Sequence, residues 1–201
     1  MIIMKTLLLL IILPFSFLPA VAQQTETLIS GDVRHGGFGG PVVKFDSINN
    51  EFGVWVGGRG GWFIGIDDVH ALSIGGGGYG LVTEHLAPNP QEANQNIATI
   101  GHGGFEIEYY NRYNQLIHFT VGTHIGAGGI TLRDGNENVS DSNQVFFVFE
   151  PGINAELNVT HFFRIMLGFN YRLTSGIDFG GFSDKDFSGP LSTLTFKFGS
   201  F

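Results

Sequence analysis

The chain of 201 residues contains no cysteine. No disulfide can staple it, and the lipid-accepting cysteine that follows a bacterial lipoprotein leader is missing. Charge is scarce as well. Asp, Glu, Lys and Arg make up 14% of the residues, against about a quarter in soluble domains. Only ten residues are Lys or Arg and the formal net charge is −8, which fits nucleic acid poorly because phosphates are bound through basic side chains. Beyond residue 22 no apolar run reaches the ~18 residues of a spanning helix. A membrane protein without such helices must be a closed barrel, since backbone N–H and C=O groups in lipid need partners within the protein. Glycine is plentiful at 31 residues, but it follows no three-residue repeat, which excludes collagen.

What the chain does have begins with Lys5, an apolar run through Leu13 and small residues ending at Ala20-Val21-Ala22. That is the layout of a secretory signal peptide, expected over 1–22. The stretch 23–40, with its run His35-Gly36-Gly37-Phe38-Gly39-Gly40, shows little periodicity and reads as an irregular periplasmic lead-in. A single barrel domain is expected over 41–201.

The stretch Gln144–Leu173 organises the rest. Val145, Phe147, Phe149, Pro151, Ile153, Ala155 and Leu157 recur at every second position, as do Phe163, Ile165, Leu167, Phe169, Tyr171 and Leu173. Glu150, Asn154, Glu156, Arg164, Asn170 and Arg172 fill the alternate positions. A period of two places the sets on opposite faces of a hairpin. Similar runs occur near 41–48, 51–64, 70–83, 99–110, 116–132 and 190–201, making eight strands. Short turns are expected at 65–69, 111–115 and 158–161, and long loops at 84–97, 133–143 and 176–189, with a tight Asn49-Asn50 connection. Short connections at one end and longer ones at the other suit an outer-membrane barrel. The fold class is all-β: an eight-stranded antiparallel up-and-down transmembrane β-barrel.

A soluble barrel would show the same alternation with its apolar face inward. Here the polar face is rich in Gly, His, Thr and Asn, which suits a narrow interior. The apolar face is loaded with Phe, as expected at a lipid boundary. With the leader, the paired strands and a last strand ending at Phe201, the chain resembles the OmpA- and OmpX-like family of small outer-membrane barrels. The resemblance covers nearly all of the mature chain and is one of pattern, without a signature motif. It implies a monomer in contact with outer-membrane lipid and lipopolysaccharide. It further implies recognition of the last strand by the barrel-assembly machinery, although Phe201 falls out of phase with Phe196 and Phe198.

Candidate chemistry is sparse. The inward face is expected to hold Lys44, Arg59, Arg164, Arg172 and Lys197 with Glu106, Glu108, Glu150 and Glu156, a network that must pair because isolated buried charges are costly. Glu106 and Glu108 share a strand face and could suggest acid–base work, but pairing with arginines explains them equally well. His118 and His124 lie roughly 20 Å apart at ~3.3 Å per residue, too far to share a metal; His102, on the neighbouring strand, could approach one of them, which leaves a site conceivable. Gly75–Gly78 lacks a following Gly-Lys-Ser/Thr and is no phosphate loop. Asp134-Gly135-Asn136-Glu137-Asn138 starts like a calcium loop, but Val139 and Val145 stand where Gly and Glu are required. No catalytic, cofactor-binding or metal residue is assigned, and no cofactor is expected. The expected role is structural or surface-interacting, the alternatives being a small-ligand-binding or narrow-pore barrel and, behind it, a lipid-modifying outer-membrane enzyme. Loop acids at Glu84, Glu92, Asp134, Glu137, Asp141, Asp178, Asp184 and Asp186 point to cation-bridged contact with lipopolysaccharide or to a basic partner.

Overall fold

The computed structural model describes residues 33–89, 95–134, 136 and 138–201; the expected signal peptide and most of the lead-in lie outside them. Strands β1 (Arg34–Ile48), β2 (Glu51–Gly65), β3 (His70–Leu81), β4 (Gln95–Asn111), β5 (Ile117–Asp134), β6 (Val139–Asn158), β7 (Phe163–Ser175) and β10 (Gly189–Gly199) form the barrel. Each pairs antiparallel with its sequence neighbour in the barrel, and β1 closes on β10. Two-residue strands β8 (Asp178–Phe179) and β9 (Phe182–Ser183) and a one-turn helix α1 (Asp184–Phe187) lie between β7 and β10. No helix among the described residues is long and apolar enough to cross a membrane.

The alternation sorts side chains as the pattern requires. Phe105, Phe119 and Val145 face outward at 75%, 67% and 69% exposure, whereas Glu156 and Lys197 face inward at 0%. An apolar exterior around a charged interior is the reverse of a soluble barrel. Asn49 and Asn50, at φ 47° and 66°, form the tight turn expected from their sequence, since two successive positive φ angles match the twist of a hairpin. At the other end Asp67 Oδ1 accepts hydrogen bonds from the Val69 and His70 amides at 2.8 and 2.6 Å. These amides hold its carboxyl below the usual carboxylate range.

Three expectations need correction. First, β1 starts at Arg34, so residues 34–40 are strand and not an irregular lead-in. Their glycines carry no side chain, which erases the alternation, yet the backbone needs them. A Cβ on Gly36 or Gly40 would collide with the Ser200 or Phe196 carbonyl. Second, the loop 133–143 is mostly strand, because β5 runs to Asp134 and β6 begins at Val139. Asp134 Oδ1 accepts from the Asn136 and Asn138 amides, both at 2.8 Å, so a tight turn replaces a long excursion. Third, residues 176–189 form a cap. Ile177, Phe179, Phe182 and Phe187 are buried in one cluster with Ile48, Ile100, Leu132 and Phe146 of the barrel wall.

Candidate functional site: a closed, layered lumen

From the short-turn end upward, the interior divides into three layers. The lowest is aromatic. Phe63 meets Tyr110, Tyr113 and Phe201 edge to face at 5.2 to 5.8 Å between ring centroids. Gly199 and Lys197 share the inward phase of Phe201 on β10, so the side chain out of register with Phe196 and Phe198 turns into the barrel mouth. It stacks there on Phe38, with centroids 5.9 Å apart.

The middle layer is ionic, and all nine residues expected there occupy it. In its lower part Lys197 Nζ donates to Glu108 at 2.9 Å and to Glu156 at 2.6 Å. Arg164 donates to Glu156 at 2.9 Å, and Arg59 pairs with Glu106 and Glu108 at 2.6 and 3.0 Å. Glu108 further accepts hydrogen bonds from Thr120, Asn154 and Tyr110 at 2.5, 3.0 and 2.9 Å. In its upper part Glu150 binds Lys44 and Arg172. Two carboxylates six residues apart on β6 thus serve different levels of one lumen, while Glu106 and Glu108, two apart on β4, share Arg59.

Sequence reasoning left out several members. Asp46 pairs with Arg172 at 2.5 Å and accepts a hydrogen bond from Trp55 Nε1 at 2.8 Å. It lies two residues beyond Lys44 on the same face, so strand phase alone could have found it. With Asp46 the layer holds five cations and five carboxylates. Tyr79, whose hydroxyl donates to Glu106, also sits under the Lys44 ammonium, 3.5 Å from its ring centroid. His102 Nδ1 and His124 Nε2 meet at 3.4 Å, and their other ring nitrogens face Glu150 and Glu106 at 3.7 and 3.4 Å. Tyr79 and the histidine pair thereby join the upper and lower ionic groups. His118 instead faces Glu156 at 3.3 Å.

The upper layer corrects the picture of a uniformly polar inside. Val42, Ile100, Ile130, Leu132, Phe146 and Val148 keep the inward phase yet are apolar, and the cap closes over them. Inside the ionic layer remains a cavity of about 40 Å³, space for a few waters. Among the described residues no group of three His, Cys, Asp or Glu side chains could hold a metal. The carboxylates are engaged by cations, which leaves them matched to holding charge in place.

Neither a protein-family model nor a curated protein matches the sequence. Solved structures do. Ail, the attachment invasion locus protein of Yersinia pestis, in complex with the heparin analogue sucrose octasulfate, aligns over 82% of this chain and 95% of its own, at 10% identity and a TM-score of 0.50. The chain has the fold of the small outer-membrane β-barrels. Neisserial surface protein A aligns over 85% of this chain and 99% of its own (10% identity, TM-score 0.49). The N-terminal barrel of Pseudomonas aeruginosa OprF aligns over 82% and 96% (13%, 0.47). An outer-membrane-barrel fold whose wall exposes Phe, Leu, Ile and Val to its surroundings belongs in the outer membrane.

Proposed function

We propose that this protein is a non-conducting outer-membrane barrel with a structural or surface-interaction role, not an enzyme and not a pore. The filled lumen carries the reading. An aromatic floor, a balanced ionic layer and an apolar cap stand in series along the axis, and eight strands leave an interior that side chains fill. Interaction is then left to the outer end, where Glu51, Glu84, Asp178, Asp184 and Asp186 outnumber Arg133 and Lys185. The Ail structure contains a heparin analogue; a polysulfate of that kind would be repelled by this acidic end. Contact with lipopolysaccharide through divalent cations, or with a basic partner, suits it better. The outward Phe196 and Phe198 of β10 are the side chains an assembly machinery would read, Phe201 being turned inward. The barrel functions as a monomer in this reading. Planar-bilayer recording of the purified protein tests it: a silent bilayer is expected, and reproducible single-channel steps would overturn the reading.

A further inference from the structure

The short-turn end contains a second cavity, of about 440 Å³, that the closed lumen does not explain. It lies between the β4–β5 turn and the β6–β7 turn. Asn158 staples the two, its Nδ2 donating to the Tyr113 and Gln115 carbonyls at 2.9 and 2.7 Å. Arg34, Tyr113, Thr160, His161 and Arg164 line the cavity. Arg164 is 6% exposed and gives one nitrogen to Glu156, with its plane stacked 3.8 Å from the Phe201 centroid. Arg34 is nearly uncommitted: its contacts to the Tyr113 hydroxyl and to Asp68 are long, at 3.5 and 3.9 Å. Two guanidinium groups, an imidazole and the Thr160 hydroxyl thus converge on one concavity of an otherwise acidic chain, while the Tyr113 hydroxyl gives its proton to the Asp67 carbonyl at 3.1 Å. Two carboxylates oppose them: Glu156, which takes one Arg164 nitrogen at 2.9 Å, and Asp68, 3.9 Å from Arg34. Leu116 and Val159, outward-facing and 68% and 46% exposed, complete the wall. Exposed apolar side chains therefore border the donor groups of the cavity.

We propose that this cavity binds a phosphate group. Guanidinium forks match phosphate oxygens in geometry and charge, and the four donor side chains of Arg34, Arg164, His161 and Thr160 exceed what the two oxygens of a carboxylate can use. The apolar wall beside the donors fits a phospholipid of the facing leaflet, a source that rests on the outer-membrane reading; a soluble phosphate offers the same oxygens without the chains.

Full-length barrel in a sugar-headed detergent, which carries no phosphate, separates the sources. Amide resonances of residues 158–164 are followed by NMR in three titrations: pyrophosphate, short-chain phosphatidylglycerol, and diacylglycerol of the same chain length. Shifts saturating with phosphatidylglycerol but not with diacylglycerol are expected. Binding about tenfold weaker is expected in Arg34→Gln, since a hydrogen bond to a charged group is worth ~1.5 kcal/mol or more. A response to pyrophosphate alone would support the phosphate site with a soluble source, independently of the membrane reading. Arg34 makes only long surface contacts, so the variant should keep the wild-type heat-modifiable gel mobility; His161→Gln provides a second variant with the same expectation. No response to either phosphate compound, or equal responses in wild type and both variants, would overturn the proposal.

Discussion

At the scale of single residues, Lys197 is the cation whose loss the lumen tolerates least. It sits fully buried between Glu108 and Glu156 and also donates to Tyr110 at 3.0 Å. Replacing it with Met keeps most of the volume but leaves two carboxylates facing each other without their shared counter-charge. Removing one partner of a buried ion pair costs about 3–5 kcal/mol. Lys197→Met is therefore expected to lower the temperature at which the barrel loses its compact gel mobility in detergent, and Glu150→Ala with Glu156→Ala should do the same. Unchanged unfolding in both would show that the pairs are not structural. Asp67 acts where water is present, so its contribution depends on pH. Its folded pKa is depressed below the ordinary 3.8 by the two turn amides. The stabilisation is thus complete above the unfolded value and fades as pH falls through the lower, folded one. Asp67→Ala should destabilise the barrel at neutral pH and narrow its gap to wild type under strongly acidic conditions, measured by unfolding at a series of pH values. The nine ionic residues were legible because strand phase puts each on one face and burial forces opposite charges to meet. That His102 could approach His118 or His124 was legible, but which of them was not, because cross-strand register is a property of the folded pair of strands (His102 lies opposite Gly128, and His124 opposite Glu106).

At the scale of elements, the strands declared themselves because lipid on one side and a narrow lumen on the other impose a strict period of two. Where one of those environments ends, the signal ends too. Residues 34–40 escaped because glycine leaves alternation unreadable. The cap escaped because Ile177, Phe179, Phe182 and Phe187 are spaced for a compact knot over the barrel mouth and fit no single period. Glycines make the difference between faces testable. A Cβ on inward Gly40 meets the Phe196 carbonyl, whereas one on outward Gly78 meets nothing within 4 Å. Gly40→Ala should weaken the β1–β10 seam that closes the barrel and reduce the fraction recovered folded. Gly78→Ala should fold as the wild type does, with both compared by refolding yield on the same gel assay. Equal yields would mean that the seam has room to spare.

At the scale of the whole molecule, the three layers act in series, and a single closed layer is enough to stop ions. In the proposed non-conducting barrel the cap is thus not the seal. It packs Phe182 and Phe187, 1% and 2% exposed, onto the apolar upper wall. Replacing residues 178–187 with a short Gly-Ser connection would uncover that wall at the outer mouth while the ion pairs of Arg59, Glu106, Lys197 and Glu156 below stay closed. The shortened protein is expected to bind an apolar fluorescent dye that the intact barrel excludes, and to lose some thermal stability, since burial of a large aromatic side chain is worth ~3 kcal/mol or more. It should nevertheless remain silent in a planar bilayer, because moving an ion through the middle layer would require breaking buried charge pairs at a large desolvation cost. Channel activity in the shortened barrel but not in the intact one would assign the seal to the cap and make the ionic layer a permeable filter.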